Sequence, residues 1–270
     1  MPEGPEVTLM AEELNKEFDG CLLQKIIIHG GRYKRHSPPK YLSGLNKVLP
    51  LKIKHIGNKG KFVFLELDKG WAIGIQPLMT GHFWTPEVSE VFKTMEGYVY
   101  NSKHNHWEFR TTCGSFFFND PRQFGRLCVF SPGKKEDTLR DKLKSLGPDL
   151  LKDLPKMSQK EFNILLDQFQ DKKELGRILL LQKFISGVGN YIRAEALYAS
   201  KLSPFRTKGS LSLSDKRKLK NALEKIGGGS YKCQKSNGLH KFTFKVFRKP
   251  GVQKAKQNGR TIWWDSKRQR

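Results

Sequence analysis

The feature that most constrains this chain is a change in the period of its apolar residues across the stretch 131–157, which is charged and broken by Pro132, Gly133, Gly147, Pro148 and Pro155. Before it, β-branched and aromatic residues come in short runs at 22–28, 51–56, 62–67, 71–75, 107–111, 116–118 and 127–130, and Thr112-Cys113-Gly114-Ser115 suits a hairpin turn. After it the spacing is helical at about 159–170, 172–184, 190–201 and 215–226, the last opened by caps near Ser214. Strands first and helices afterwards predict an α+β chain of two domains, a β-sandwich or barrel and then a helical domain. At 270 residues the chain is long enough for two cores.

One helix precedes the strands. Val7, Met10, Ala11, Leu14 and Phe18 recur at helical spacing within 5–19, and Gly20 suits its end. The expected boundaries are 1–132 for the first domain, 133–157 for a linker, 158–241 for the helical domain and 242–270 for a last segment. That segment has two β-like runs, 242–247 and 261–264, separated by a Pro-Gly turn and a basic loop. Gly227-Gly228-Gly229 is expected to end the helices, leaving 227–241 as a flexible loop.

Charge narrows the partners. Fifty Lys and Arg against 26 Asp and Glu leave a formal charge of +24, an excess that calls for a polyanion, with nucleic acid the first choice. A membrane is the alternative, but no apolar run approaches the ~20 residues of a spanning helix, no lipidation signal occurs and the N-terminus lacks a signal-peptide core. A soluble, intracellular protein is expected, acting in whichever compartment holds its nucleic acid, nucleus, cytoplasm or nucleoid. Cys21, Cys113, Cys128 and Cys233 are far apart with no Cys-x-x-Cys pair, which argues against a disulfide framework and a thiolate zinc site. His104 and His106 form a His-x-His pair without a third ligand and read as surface residues.

Two short stretches carry possible chemistry. If Met1 is removed, Pro2 becomes a free secondary amine, a nucleophile that forms a cationic iminium when it attacks a sugar C1′. Glu3 beside it could protonate the sugar ring oxygen if burial raises its pKa. Taken alone, Met1-Pro2-Glu3-Gly4-Pro5-Glu6 reads first as a solvated chain start. The second stretch is Gly187-Val188-Gly189-Asn190 between two helical patterns. Its glycines permit a tight turn, Asn190 can cap the next helix, and free amides there could hold a phosphate; a ligand-free helical hairpin is the other reading.

Pro2-Glu3-Gly4-Pro5-Glu6, followed by Gly187-Val188-Gly189-Asn190 and Glu195-Ala196-Leu197, resembles the formamidopyrimidine-DNA glycosylase and endonuclease VIII family of base-excision repair enzymes. The resemblance implies an N-terminal β-sandwich with a flanking helix, then a helix-two-turn-helix domain with a β-hairpin finger. It also implies a bifunctional DNA glycosylase and abasic-site lyase that uses no cofactor or metal. Pro2 would be the Schiff-base nucleophile, Glu3 the acid that assists ring opening, and Lys61, in Asn58-Lys59-Gly60-Lys61-Phe62, a contact to the phosphate beside the lesion, with Lys59 as the neighbouring register. Met79 in Leu78-Met79-Thr80-Gly81, and Arg122 and Phe124 in Asp120-Pro121-Arg122-Gln123-Phe124-Gly125, match the side chains that fill the gap left by a flipped base. Lys183 and Asn190 match phosphate-binding positions.

The family's usual four-cysteine zinc finger has no counterpart here. Asn258-Gly259-Arg260-Thr261-Ile262-Trp263-Trp264 resembles instead the zincless finger of the endonuclease VIII-like 1 branch, with Arg260 as the finger arginine and Trp263 and Trp264 as hairpin core. The implied partner is damaged DNA, duplex and also single-stranded, handled by a monomer. The implied substrates are oxidised pyrimidines and hydantoins, because the loop after Gly229 looks short. Two rival readings stand beside it: a glycosylase preferring formamidopyrimidine and 8-oxoguanine, and a non-catalytic damaged-DNA-binding module.

Overall fold

The computed structural model describes residues 2–85, 101–237 and 242–270. Met1, whose removal the chemistry of Pro2 requires, lies outside the described residues. Two compact units are present, one built on Glu6–Ser145 and the other on Glu3–Pro5, Leu146–Ser236 and the residues from 242 onward.

Helix α1 (Gly4–Phe18), part of the first unit from Glu6 onward, buries Val7, Met10, Ala11, Leu14 and Phe18, the stripe its spacing predicts. The strands are β1 (Leu22–Ile28), β2 (Leu51–Lys59), β3 (Phe62–Leu67), β4 (Ala72–Gln76), β5 (His82–Trp84), β6 (Asn105–Thr111), β7 (Gly114–Asn119) and β8 (Arg126–Phe130). They run in the antiparallel order β5-β7-β6-β1-β2-β3-β4-β8. β1 meets β2 only at Leu22 and Leu23, so the sheet bends there into two four-stranded layers, a β-sandwich. Between the layers, Trp107 stacks on Phe118 at 4.2 Å and Phe109 on Phe116 at 4.6 Å, pairs that add about 1 kcal/mol each beyond area burial. Strand β5 was not anticipated because three residues, His82-Phe83-Trp84, are too few to show alternation. Helices α2 (Arg32–Arg35) and α3 (Leu42–Val48) are likewise too short for a period to show.

The cysteine expectation is overturned: Cys21 and Cys113 are bonded, with their Cα atoms 6.0 Å apart. The register Leu23↔Thr111 brings the start of β1 beside the β6–β7 turn, where Leu22 N donates to Thr112 Oγ1 at 3.0 Å. A sequence separation of 92 hid that proximity. His106 is not a surface residue either. It is buried, and its Nε2 hydrogen-bonds the Asp120 carbonyl at 2.9 Å. Within the stretch expected as a linker, α4 (Leu139–Lys144) forms behind a Thr138/Asp141 capping box, and the chain passes to the second unit at Leu146.

The second unit holds α5 (Gln159–Asp167), α6 (Leu175–Ile178), α7 (Asn190–Ser200), α8 (Leu213–Asn237) and the hairpin β9 (Gln253–Gln257) and β10 (Arg260–Trp264). Its core includes Leu154, Phe162, Phe184, Ile192, Leu223 and, from the hairpin, Ile262. The helix expected over 172–184 shrinks to the four residues of α6. Neighbouring segments take its backbone groups: Leu175 N donates to Arg206 O and Gly176 N to Pro204 O, both at 2.9 Å, while Gly176 O accepts from Arg193.

Three further expectations fail in this unit. Gly227-Gly228-Gly229 does not end a helix, since α8 runs through it to Asn237. A Cβ at Gly227 would meet Leu150 Cδ2 at 2.8 Å, so close packing, not a stop, accounts for that glycine. Residues 227–237 are therefore helical rather than a flexible loop, and 238–241 lie outside the described residues. The run 242–247 forms no strand. The amides of Lys245, Val246 and Phe247 bind the buried carboxylate of Glu195 at 2.8–2.9 Å instead, and the first hairpin strand is β9.

Candidate active site and nucleic-acid interface

Glu3 is 1 % exposed, and what holds it is the start of α7. Its Oε1 accepts from Tyr191 N at 2.8 Å and its Oε2 from Ile192 N at 3.2 Å, two of the amides an α-helix leaves without an internal partner. Those donors and the positive helix end suit a carboxylate rather than a carboxylic acid. Gly4 N donates to Gly187 O at 2.8 Å, so the chain start and the glycine turn zip together. A Cβ at Gly189 would lie 2.2 Å from Glu3 Cδ. The amides read from sequence as free for a phosphate are thus occupied at positions 191 and 192 by the chain's own carboxylate. Pro2, joined to Glu3, is buried as well.

Asn190 is not the cap of α7. Gly189 is, without a side-chain cap bond, and Asn190 is the first helical residue. Its Nδ2 donates to Thr261 O at 2.8 Å, and its Oδ1 accepts from Arg193 at 2.5 Å. Arg193 is fully buried and also donates to Gly176 O at 3.0 Å. Burial pushes its pKa down to about 10, the nearby Glu3 carboxylate opposes that fall, and the charge of Arg260 adds to it. It stays a cation at neutral pH, and among the described residues its Nε has no hydrogen-bond partner. Arg193 therefore ties α7 to the hairpin, and Gln257 completes the tie by donating to Glu174 Oε2 and Pro204 O at 3.1 Å. At the hairpin tip Asn258 and Gly259 both have positive φ, 50° and 71°, the geometry of a two-residue turn matched to strand twist. Arg260 follows directly and is exposed. Trp263 packs on Phe247 and Trp264 on Phe205, at 4.7 and 5.2 Å between ring centres, and serve as hairpin core. Lys183 is exposed, with its Nζ 5.7 Å from the centre of the Phe169 ring.

The first unit carries the other expected residues. Lys61 follows Gly60 (φ 56°) at the β2–β3 turn. Asn58, buried, ties that turn to α1 by donating from Nδ2 to Thr8 Oγ1 at 2.9 Å and to Gly60 O at 3.1 Å. The neighbouring Lys59 is used otherwise: its Nζ donates to Leu143 O at 3.0 Å, near the end of α4.

Met79 and the Arg122/Phe124 loop form one construction. Asp120, 1 % exposed, accepts from Gly125 N at 2.7 Å, from Arg122 N at 3.3 Å and from the Thr80 hydroxyl. One carboxylate thereby fixes both loops and leaves Phe124 41 % exposed, with the Arg122 guanidinium 4.8 Å from its ring centre. Met79 is half-buried beside the exposed Leu78, whose φ is 55°. Asp120 and Arg193 were missed by sequence reasoning, although Asp-Pro-x-x-x-Gly after a strand and an arginine one turn into α7 were visible signals. Asp120→Asn is expected to weaken binding to abasic duplex by about 10- to 100-fold, since hydrogen bonds to a charged acceptor contribute about 1.5–3 kcal/mol each. Anisotropy titration measures it, and an unchanged affinity would remove Asp120 from the account.

His82, buried under this construction, hydrogen-bonds Thr80 O at 3.0 Å through Nδ1, and burial pushes its pKa down to about 4 from 6.5. Because the folded value lies below the unfolded one, the unfolded chain takes up the proton first as pH falls. The contribution is complete above pH 6.5 and is lost between 6.5 and 4, roughly 3 kcal/mol in all. His82→Gln should flatten that part of the stability–pH curve in urea unfolding. A variant with the parent's acid slope would contradict the assignment.

Comparison with known proteins agrees with the geometry. Residues 1–127 match the formamidopyrimidine-DNA glycosylase N-terminal domain and 146–235 the H2TH domain of the same enzymes. The formamidopyrimidine-DNA glycosylase of Hydrogenovibrio crunogenus is 30 % identical over 223 residues, covering 81 % of this chain and 71 % of that one. That of Rhodopseudomonas palustris is 25 % identical over 301 residues and the whole of both chains. A structure of MutM with DNA containing carbocyclic 8-oxo-G superposes with a TM-score of 0.80 at 22 % identity over all of both chains. One of the Lactococcus lactis enzyme with DNA containing an oxidised pyrimidine gives 0.78 at 24 %, also over all of both. These two establish the fold. The chain belongs to the formamidopyrimidine-DNA glycosylase family, a class of DNA-repair glycosylases. Among the described residues no helix is long and apolar enough to cross a membrane, and no group of three or more His, Cys, Asp or Glu is placed to hold a metal ion.

Proposed function

We propose that the mature chain excises oxidised bases from damaged DNA and cleaves the resulting abasic site, with Pro2 as nucleophile and Glu3 as its proton carrier. The observation that carries this is the Glu3 carboxylate seated on the first amides of α7. It fixes the residue next to Pro2 with a precision no solvated chain start would have. In this reading the Glu3 carboxylate takes a proton from the Pro2 ammonium, which frees the amine, and passes it to the ring oxygen as C1′ is attacked; its two amide donors favour the ionised form, so the proton is carried only in transit. The base departs, an iminium forms, and β then δ elimination leave a one-nucleotide gap with phosphate at both ends. Lys61, Lys183, Asn190 and Arg260 would hold backbone phosphates, while Met79, Arg122 and Phe124 would fill the space of the extruded base. This reaction uses no cofactor or metal.

Oxidised pyrimidines and hydantoins are the preferred substrates in this reading, and the finger is of the zincless, endonuclease VIII-like 1 type. Two features support it. Because α8 continues to Asn237, only seven positions separate its end from Lys245, the first residue anchored on Glu195. The hairpin is stabilised by Ile262, Gln257 and two tryptophans. A preference for formamidopyrimidine and 8-oxoguanine is favoured instead by the names of the relatives. A non-catalytic damaged-DNA-binding module would show no turnover on any lesion. Single-turnover excision of thymine glycol, a hydantoin and 8-oxoguanine, in duplex and single strands, separates the readings. The first two should react about tenfold faster or more, the equivalent of one hydrogen bond in the pocket. The reverse order establishes the rival preference.

A further inference from the structure

Helix α8 buries one face and leaves the other strongly basic. Its inner row includes Leu219, Leu223, Ser230 and Gln234, and Ser230 Oγ meets Tyr191 Oη of α7 at 3.0 Å. Its outer row exposes Arg217, Lys218, Lys225 and Lys232. The positions 217, 221, 225, 228 and 232 follow the three- and four-residue steps of one helix stripe, turned away from the face that meets α7.

The local acids are already spent. Asp215 pairs with Arg206, Glu224 with Lys220, and Asp167 with Lys216 and Lys208. Among the described residues, none of the four outer cations makes an ion pair with a carboxylate. From Arg217 to Lys232 the stripe spans about 22 Å, fifteen steps of about 1.5 Å.

The glycines supply a second observation. Gly227 is accounted for by its contact with Leu150, but a Cβ at Gly228 would meet nothing within 4 Å. A mid-helix glycine is destabilising relative to alanine, and packing inside the protein gives Gly228 no return for it. Between Lys225 and Lys232 it opens a bare strip of helix that another backbone can approach closely. A charged row with such a strip fits a phosphodiester strand, whose charges are regular and whose sequence it need not read.

We propose that the outer face of α8 binds the phosphate backbone of a second, undamaged DNA segment, separate from the site built on Glu3 and the start of α7. The protein would then hold two segments together, which lets it pass from one to the other while searching for lesions.

The test loads the protein with a short duplex carrying a tetrahydrofuran abasic analogue, then titrates in a longer, labelled, undamaged duplex. The parent should bind the second duplex with a log–log salt slope of roughly −3.6 for four contacts, losing about 150-fold between 50 and 200 mM salt. The variant Arg217→Gln, Lys218→Gln, Lys225→Gln, Lys232→Gln should bind it at least 30-fold more weakly at low salt and still excise lesions from short duplexes at the parent rate. Gly228→Leu, which has room to fold, should weaken the second duplex alone. Parent-like binding of the second duplex by the charge variant overturns the proposal, as does binding of anionic phosphatidylserine vesicles but not DNA. If the abasic analogue fails to bind, the lesion-site reading fails by itself, and the undamaged duplex still reports on α8.

Discussion

Gly189→Ala is expected to lower single-turnover excision and strand cleavage by at least about 100-fold while leaving a folded protein. The added methyl would sit 2.2 Å from Glu3 Cδ and 2.4 Å from Oε1. The obstructed group is the end of a flexible side chain, so the backbone can keep its path while the carboxylate swings off the amides of Tyr191 and Ile192. A displacement of about 1 Å at a reacting group typically costs on the order of 10²-fold. Circular dichroism and rates on one lesion duplex measure both halves. A fully active variant would show that the seat of Glu3 does not matter, whereas an unfolded one would place Gly189 in the fold rather than the chemistry.

Glu3→Gln should divide the two reactions. The amide keeps the shape but carries no exchangeable acid proton, and its NH2 group would face a backbone donor. Base removal is expected to slow by about 10²–10⁴-fold, the range for losing a general acid–base group. Cleavage at a preformed abasic site should suffer much less, because that sugar already populates the open aldehyde and needs no help with ring opening. Rates on lesion and abasic duplexes of the same sequence give the ratio. Equal losses on both would assign Glu3 to binding or stability rather than to proton transfer.

Much of this arrangement was legible in the sequence where a long period or a compact motif carried it. The stripe of α1, most of the strands and the order of the motifs from Pro2 to Arg260 needed only local reading. What was hidden depended on tertiary contacts. The Cys21–Cys113 bond follows from strand register, the continuation of α8 through three glycines from the Leu150 contact, and the loss of most of the 172–184 helix from hydrogen bonds to 204 and 206. Buried polar anchors were the hardest to see. Asp120 and Glu195 were visible only as members of motifs and Arg193 only as a charge, yet Asp120 holds the loop that carries Arg122 and Phe124, Arg193 joins Asn190 to Gly176, and Glu195 anchors the amides of 245–247. Asn190 shows the same lesson within a motif: its position was recognised, but its amide is committed to the hairpin rather than to capping α7.

Borohydride reduction of the protein mixed with abasic duplex, followed by peptide mapping of any adduct, tests the central claim directly. A covalent adduct is expected on the amino-terminal peptide, attached at the Pro2 nitrogen of a chain that has lost Met1. An adduct carried by a lysine such as Lys61, or full cleavage activity from a chain that still retains Met1, would contradict it.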